Sequence, residues 1–264
     1  MLTSWVLLAA LAAQAPVSNA PERSTAPQTT APTPAPAARS AAAPDEPSPF
    51  THLFQNLGDD AAHLVSRESG VIVLGGFAGA AVAHRSDASV AAWVLKQPSS
   101  SSAASVGNTI GGGWIQAGAA VGTWAAGALS HDHAVERVGA DLIRAQVLNE
   151  VITESLKVAV NRDRPNGGHD SFPSGHTSAT FATAAILQSD FGWGAGAAAY
   201  ALGGFVAWSR VRSNNHWLSD VVSGGVIGIL SGRAVARGHH GSNWAVTPVK
   251  TAGGGGVYVT IGHS

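Results

Sequence analysis

From residue 50 onward, apolar positions recur at intervals of three and four, and short Gly, Pro or Ser breaks separate the runs. That periodicity predicts packed amphipathic helices. Leu53, Leu57, Leu64 and Val65, with His63, mark a first amphipathic segment. Residues 71–83 form a short apolar run, and 88–96 predict another helix, ended by Gln97-Pro98 and a serine run. Residues 110–129 are uncharged and rich in Gly and Ala. Residues 134–160 predict a long amphipathic helix carrying Glu136, Arg137, Asp141, Arg144, Glu150, Glu154 and Lys157, with Asp132 as its N-cap. The last three helices are expected over 177–188, 196–210 and 216–237, the first two separated by Phe191-Gly192-Trp193-Gly194. Gly224, Gly228 and Gly232 recur every four residues, a stripe that lets a neighbouring helix approach closely. Residues 244–249 and 257–261 flank a glycine run and predict a surface hairpin. The expected fold class is therefore all-α, a compact multi-helix bundle with a small C-terminal β-hairpin.

The N-terminal region reads differently. A short apolar run over residues 2–13 followed by small residues resembles a secretory signal peptide. No Lys or Arg precedes it, and Pro16 and Pro21 crowd the cleavage region, so a short anchor is the alternative. Residues 21–49, rich in Ala, Pro, Ser and Thr, cannot bury a core and predict a disordered linker. Four parts are thus expected: 1–20 signal peptide or short anchor, 21–49 linker, 50–240 helical domain and 241–264 hairpin tail. The expected location is the periplasm or cell envelope.

Composition sharpens this picture in three ways. Hydrophobic residues make up 45% of the 264, enough for one well-cored domain. The net charge of −1 implies no bulk attraction to nucleic acid. Cysteine is absent, which removes disulfides, thiolate metal sites and a cysteine nucleophile. Residues 109–129 and 191–209 are long and uncharged, yet built from Ala and Gly, so insertion into a bilayer would be marginal. The helix bearing Lys157 is charged along its length. A soluble or peripherally bound bundle with membrane-surface contact is favoured over an integral one.

Three segments concentrate chemistry. The first joins Lys157 to Arg164-Pro165, the second is Pro173-Ser174-Gly175-His176, and the third runs from Ser209-Arg210 through His216 to Asp220. Arginine matches phosphate bidentately and stays charged. Pro165 directs Arg164 out of the helix that carries Lys157. Ser174-Gly175-His176 precedes a helix-compatible run, so its backbone N–H groups and dipole favour an anion, and His176 can stand over it as proton donor. His216 and Asp220, four apart, are expected to be neighbours on one helix face. There the carboxylate can fix the imidazole tautomer and leave the other nitrogen as nucleophile. Each segment alone reads more simply as a solvated face, a capped turn or a surface pair. All three in this order outweigh those readings. Cations already neutralise the phosphate, so no metal or other cofactor is expected. His131 and His133 lack a third ligand and read as loop, and His239, His240 and His263 as solvated tail. His169 sits between the first two motifs. Arg162 and Arg212 flank motif residues and enlarge the positive field.

These motifs resemble the three signatures of the type 2 phosphatidic acid phosphatase family, which shares its fold with bacterial acid phosphatases and vanadium haloperoxidases. Every signature position is filled. The resemblance implies a metal-independent phosphatase acting on a phosphomonoester or diphosphate, either a lipid phosphate or a small ester. It implies His216 as the nucleophile that becomes phosphohistidine, Asp220 as its orienter and His176 as the acid. Lys157, Arg164 and Arg210 would bind phosphate, helped by Ser174 and Gly175. A vanadium haloperoxidase is the first alternative, though the compact length argues against it. A non-catalytic phosphate- or lipid-binding envelope module is the second.

Overall fold

The computed structural model describes residues 49–98, 101–240, 244–251 and 254–261. The expected signal peptide and all but the end of the linker lie outside the described residues. The helices run in the order α1 (Pro49–Ala62), a 3-10 turn (His63–Val65), α2 (Arg67–His84), α3 (Asp87–Lys96), α4 (Ser101–Ile110), α5 (Gly113–Ser130), α6 (His133–Val160), α7 (Gly175–Arg212) and α8 (Leu218–His240). The fold class is all-α. After the last helix, Trp244–Thr251 and Gly254–Ile261 pair as antiparallel strands, and the small hairpin expected over 241–264 is not supported as part of the fold.

Helix α6 runs through the centre. Its Val138, Leu142, Ala145 and Leu148 follow the helical repeat and pack with Ala182 and Ile186 of α7, Ala234 and Val235 of α8 and Ala120 of α5. Asp132 caps it as the sequence predicts, its Oδ1 accepting from Ala134 N at 3.0 Å and Val135 N at 3.2 Å. Buried Arg144 joins Asp60 of α1 at 2.8 Å and Asp141 at 2.7 Å. Removing one member of such a buried cluster leaves an uncompensated charge, so it ties α1 firmly to α6.

The glycine stripe explains how α8 meets α7. A Cβ on Gly224, Gly228 or Gly232 would come within 2.6, 2.2 and 2.6 Å of the carbonyl oxygens of Ser174, Ser178 and Ala182. Two four-residue ladders therefore lie backbone to backbone, and that contact aligns the second motif with the third.

Two expectations change. The serine run after α3 is not a loop from residue 101 on: it is helix α4. Gly107 packs where a Cβ would meet Ser209 at 2.5 Å, and Gly111 where one would meet Val206 at 2.4 Å. Tertiary packing on α7 thus overrides a composition that favours turns. The expected break near Phe191 is a kink inside α7, where Gly192 has φ 78° and ψ −175°, a backbone that favours glycine.

Among the described residues, Leu218–Gly238 is the single helix long and apolar enough to cross a bilayer, and 72% of that window is buried inside the bundle. The bent pair Asn56–Val65 and Arg67–His84, at 62°, would make a second span if counted as one. Neither coincides with 109–129 or 191–209.

The seam makes a sharp contrast testable. Gly228→Ala must push backbone atoms apart and should destabilise the domain by about 2 kcal/mol. Gly225→Ala meets Phe181 at an ordinary 3.6 Å and should be neutral or stabilising, since alanine favours helix by up to about 1 kcal/mol. Denaturant unfolding of both variants checks this; equal stability would show that the seam relaxes freely.

Candidate active site

Helix α6 delivers Lys157 one turn before its end. Asn161 closes the helix in the left-handed region at φ 45°, its N–H donating to Lys157 O at 2.8 Å. The chain then enters a loop that carries Arg164. Backbone and side chain both fix that residue: Arg164 N donates to Gly168 O at 2.7 Å, and Nε donates to His169 O at 2.7 Å. Lys157 Nζ rests 2.5 Å from Glu154 Oε1. It also lies 3.5 Å from where a Cβ on Gly175 would stand, so glycine there keeps the ammonium close to the start of α7.

The second motif forms the entry to α7. Ser174 N donates to Asp220 O at 3.1 Å, and Ser174 Oγ shares a 3.0 Å hydrogen bond with Thr177 Oγ1. With the Ser174 hydroxyl occupied by Thr177, the first-turn N–H groups have no side-chain cap. Such a helix start suits an anion.

The third motif departs from the expected helix face. His216 lies in the turn before α8, and Asp220 in its first turn. The two still meet, but Asp220 Oδ2 is 3.7 Å from His216 Nδ1, too long for a hydrogen bond. Nδ1 instead donates to Ser171 O at 2.7 Å. That bond places the proton on Nδ1 and leaves Nε2 with a free lone pair. Asp220 acts one step further back. Oδ2 accepts from Ser171 Oγ at 2.5 Å and Trp217 N at 2.9 Å, and Oδ1 accepts from Arg162 Nη1 at 2.6 Å. The carboxylate, fully buried, thereby fixes both the residue that holds His216 and the turn that carries it.

Arg162 does not enlarge the positive field as its position suggests, because carboxylates neutralise it. Nη2 donates to Asp87 Oδ2 at 2.8 Å while Nη1 holds Asp220. Asp87, at the start of α3, also accepts from Ser219 N at 2.8 Å, Ser219 Oγ at 2.7 Å and the exposed His84 at 2.9 Å. Burial opposes its charge, but Arg162, Ser219 and His84 outweigh that and hold the carboxyl below its usual range.

Arg210 is buried, and its Nη1 donates to Asn108 Oδ1 of α4 at 2.8 Å. Its buried Nε has no hydrogen-bond partner among the described residues, a donor suited to an anion. Burial, with Arg164 adding to it, lowers its pKa to about 10. His176 is pushed down to about 4, first by burial and then by Arg210, His216, Lys157 and Arg164. Four positively charged or titratable groups thus bear on His176. Burial also lowers His216, against the upward pull of Asp220 and the Ser171 carbonyl.

The structure therefore brings together Lys157, Arg164, Ser174, Gly175, His176, Arg210, His216 and Asp220. Sequence reasoning missed Ser171, Asp87 and Asn108, which act through hydrogen bonds to motif residues rather than through any spacing. His169 pairs with Asp163 at 2.9 Å on the surface and contributes its carbonyl to Arg164. His131 ends α5 in the left-handed region, in keeping with its reading as loop. A cavity of about 480 Å3 opens from Lys157, Gly175 and His176 between α5 and α6.

Two outcomes follow from these contacts. Arg162→Ala strands two buried carboxylates and should cost on the order of 3 kcal/mol, with Arg162→Lys losing less; equal stability of Arg162→Ala and wild type would refute the network. His176 and His216 both titrate lower folded than unfolded. The unfolded chain therefore takes up protons first, and stability should fall as pH drops from about 6.5 towards about 4. His176→Asn should make that fall shallower in thermal melts across the range; an unchanged slope would count against the buried neutral imidazole.

Residues 166–244 match the PAP2 superfamily model. A lipid A 1-phosphatase of Porphyromonas gingivalis is 40% identical over 81 residues, 29% of this chain and 18% of that protein. The match therefore spans less than a fifth of that relative's length. The crystal structure of Aquifex aeolicus LpxE superposes with TM-score 0.49 at 21% identity, covering 57% of this chain and 94% of the other. That of a Bacillus subtilis transmembrane PAP2 type phosphatidylglycerolphosphate phosphatase does so with TM-score 0.46 at 19% identity, covering 71% and 93%. The matched region, less than a third of the chain, holds the second and third motifs, whose side chains converge as described, and it is there that the chain is similar to the PAP2 superfamily.

Proposed function

We propose that this chain is a metal-independent phosphatase that hydrolyses a phosphomonoester or diphosphate through a phosphohistidine at His216. One observation carries the reading. A buried imidazole commits Nδ1 to the Ser171 carbonyl, with Asp220 behind it, beside three cations and a second histidine.

In this mechanism Lys157, Arg164, Arg210 and the α7 N-terminus hold the phosphoryl oxygens and stabilise their charge. His216 Nε2 attacks phosphorus, and the bond from phosphorus to the leaving oxygen breaks. His176 gives its proton to that oxygen. Water then attacks the phosphohistidine, His176 takes its proton, and phosphate departs with His216 restored. Asp220 stabilises the positive charge on His216 while it carries phosphate.

A lipid phosphate is the favoured substrate. The P. gingivalis relative is a lipid A 1-phosphatase. Beside the cavity, α5 exposes Trp114 (92%), Ile115, Val121 and Leu129, an apolar surface that suits contact with a membrane. We place the chain in the bacterial envelope, secreted or membrane-associated, with no cofactor.

The test is phosphate release from phosphatidic acid, undecaprenyl diphosphate and soluble monoesters in excess EDTA. Turnover should persist and vanadate should inhibit competitively. Activity abolished by EDTA and restored by Mg²⁺ would overturn metal independence, and halide oxidation with vanadate in place of phosphate release would overturn the hydrolase reading. His216→Ala should abolish turnover and phosphoenzyme trapping. His176→Ala should slow release of an alkyl alcohol far more than of an activated phenol. Asp220→Asn should leave a folded protein with turnover lower by roughly 10³-fold or more; near-normal turnover would make Asp220 merely structural.

A further inference from the structure

The cavity beside the phosphate site has a feature the phosphatase mechanism does not use. Its walls change sign along their length. Lys157, Gly175 and His176 line one end, and the charges of Arg210 and Arg164 also reach His176. Gln146 and Glu150 line it further along α6, facing the exposed indole of Trp114 on α5. Glu150 and Lys157 are seven residues apart on one helix, about 10 Å along its axis. Glu154, between them, is already paired with Lys157. Glu150 makes no hydrogen bond or ion pair among the described residues, so its charge is uncompensated.

A substrate held by the cations must lay its leaving group along this cavity. A phosphoryl group in the cationic end places the next few atoms of the substrate towards Glu150. A neutral alcohol, a hydroxyl-rich group or an amine meets the carboxylate without penalty and can hydrogen-bond to it, with Trp114 covering its apolar face. A second phosphate brings one or two negative charges to within several Å of Glu150. At that separation, in partly solvated surroundings, like charges repel strongly enough to change binding about tenfold.

We propose that Glu150, with Gln146 and Trp114, forms a leaving-group subsite that selects monophosphate esters of uncharged, hydroxyl-bearing or amino-bearing groups over diphosphates. The inference rests on the phosphatase reading and narrows its substrate class. Glu150 stands at the leaving group and takes no part in bond breaking, so it is a specificity residue.

The experiment compares decyl phosphate with decyl diphosphate, which share one alkyl chain and differ in the charge of what leaves. Steady-state kcat/KM is measured for the full chain, wild type and Glu150→Gln, in low and high salt, with circular dichroism to confirm that both fold. Because a diphosphate is intrinsically more reactive, the informative quantity is the ratio of the two kcat/KM values within each protein. Glu150→Gln should raise the diphosphate-to-monophosphate ratio about tenfold, and Glu150→Lys should raise it further. High salt should raise the ratio in wild type and leave it nearly unchanged in Glu150→Gln. Phosphate release from both substrates with a ratio untouched by Glu150→Gln would overturn the subsite alone. No release from either substrate by the wild type would overturn the phosphatase reading and the subsite with it.

Discussion

The site depends on one close approach, that of α8 to the beginning of α7. Three glycines at four-residue spacing let backbone meet backbone, with the carbonyls of Ser174, Ser178 and Ala182 filling the space where side chains would stand. The first of these contacts is at the second motif itself. It brings Ser174 N within 3.1 Å of Asp220 O, so the turn that opens α7 and the turn that carries His216 are bound to each other through main-chain atoms. Any residue larger than glycine at these positions would separate the two motifs before it disturbed the core. The spacing of the motif residues is thus set by helix packing, and the side chains need only small rotamer freedom to converge.

Asp220 is the second level of the same organisation. It receives hydrogen bonds from the 171 loop, the 217 turn and Arg162, and so joins three chain segments at one buried carboxylate. Arg162 extends the connection to Asp87 at the start of α3, and Asp87 in turn to the exposed His84 at the end of α2. An isolated buried carboxylate would neutralise by taking up a proton. Arg162 Nη1, 2.6 Å from Oδ1, gives this buried carboxylate a cationic partner. A network that begins at Asp87 thus reaches the surroundings of His216.

The sequence carried the parts of this design that depend on local periodicity. Helices α2, α3, α5, α6 and α8, the Asp132 cap, the break at Gly192 and the glycine stripe follow from spacing and propensity. Helix α4 did not, because a serine-rich segment becomes helical only when Gly107 and Gly111 find α7. The motif residues were legible because their types and spacing are chemically unusual. Ser171, Asn108 and Asp87 were not, since each contributes through a hydrogen bond across 45 to 132 positions of sequence. The expected helical pairing of His216 with Asp220 was right in proximity and wrong in geometry. The turn at Asn214, with φ 58°, takes His216 off the helix and hands its Nδ1 to a backbone carbonyl.

The arrangement of charge around His176 also bears on how, in the proposed mechanism, that histidine would serve as an acid despite its surroundings. Three cations and burial hold His176 near 4, so in the free protein it is neutral at any ordinary pH. A bound phosphate dianion cancels much of that positive field and adds negative charge next to the ring. Both changes favour the protonated form, so in the proposed mechanism the substrate itself would draw the proton onto His176. His216 is kept neutral by burial in the meantime, with its Nδ1 proton locked to Ser171. Both imidazoles start below the usual histidine value, and in the proposed mechanism the ligand would drive them apart, one towards acid and the other held as nucleophile, which is the separation that general acid and nucleophilic catalysis in one pocket require.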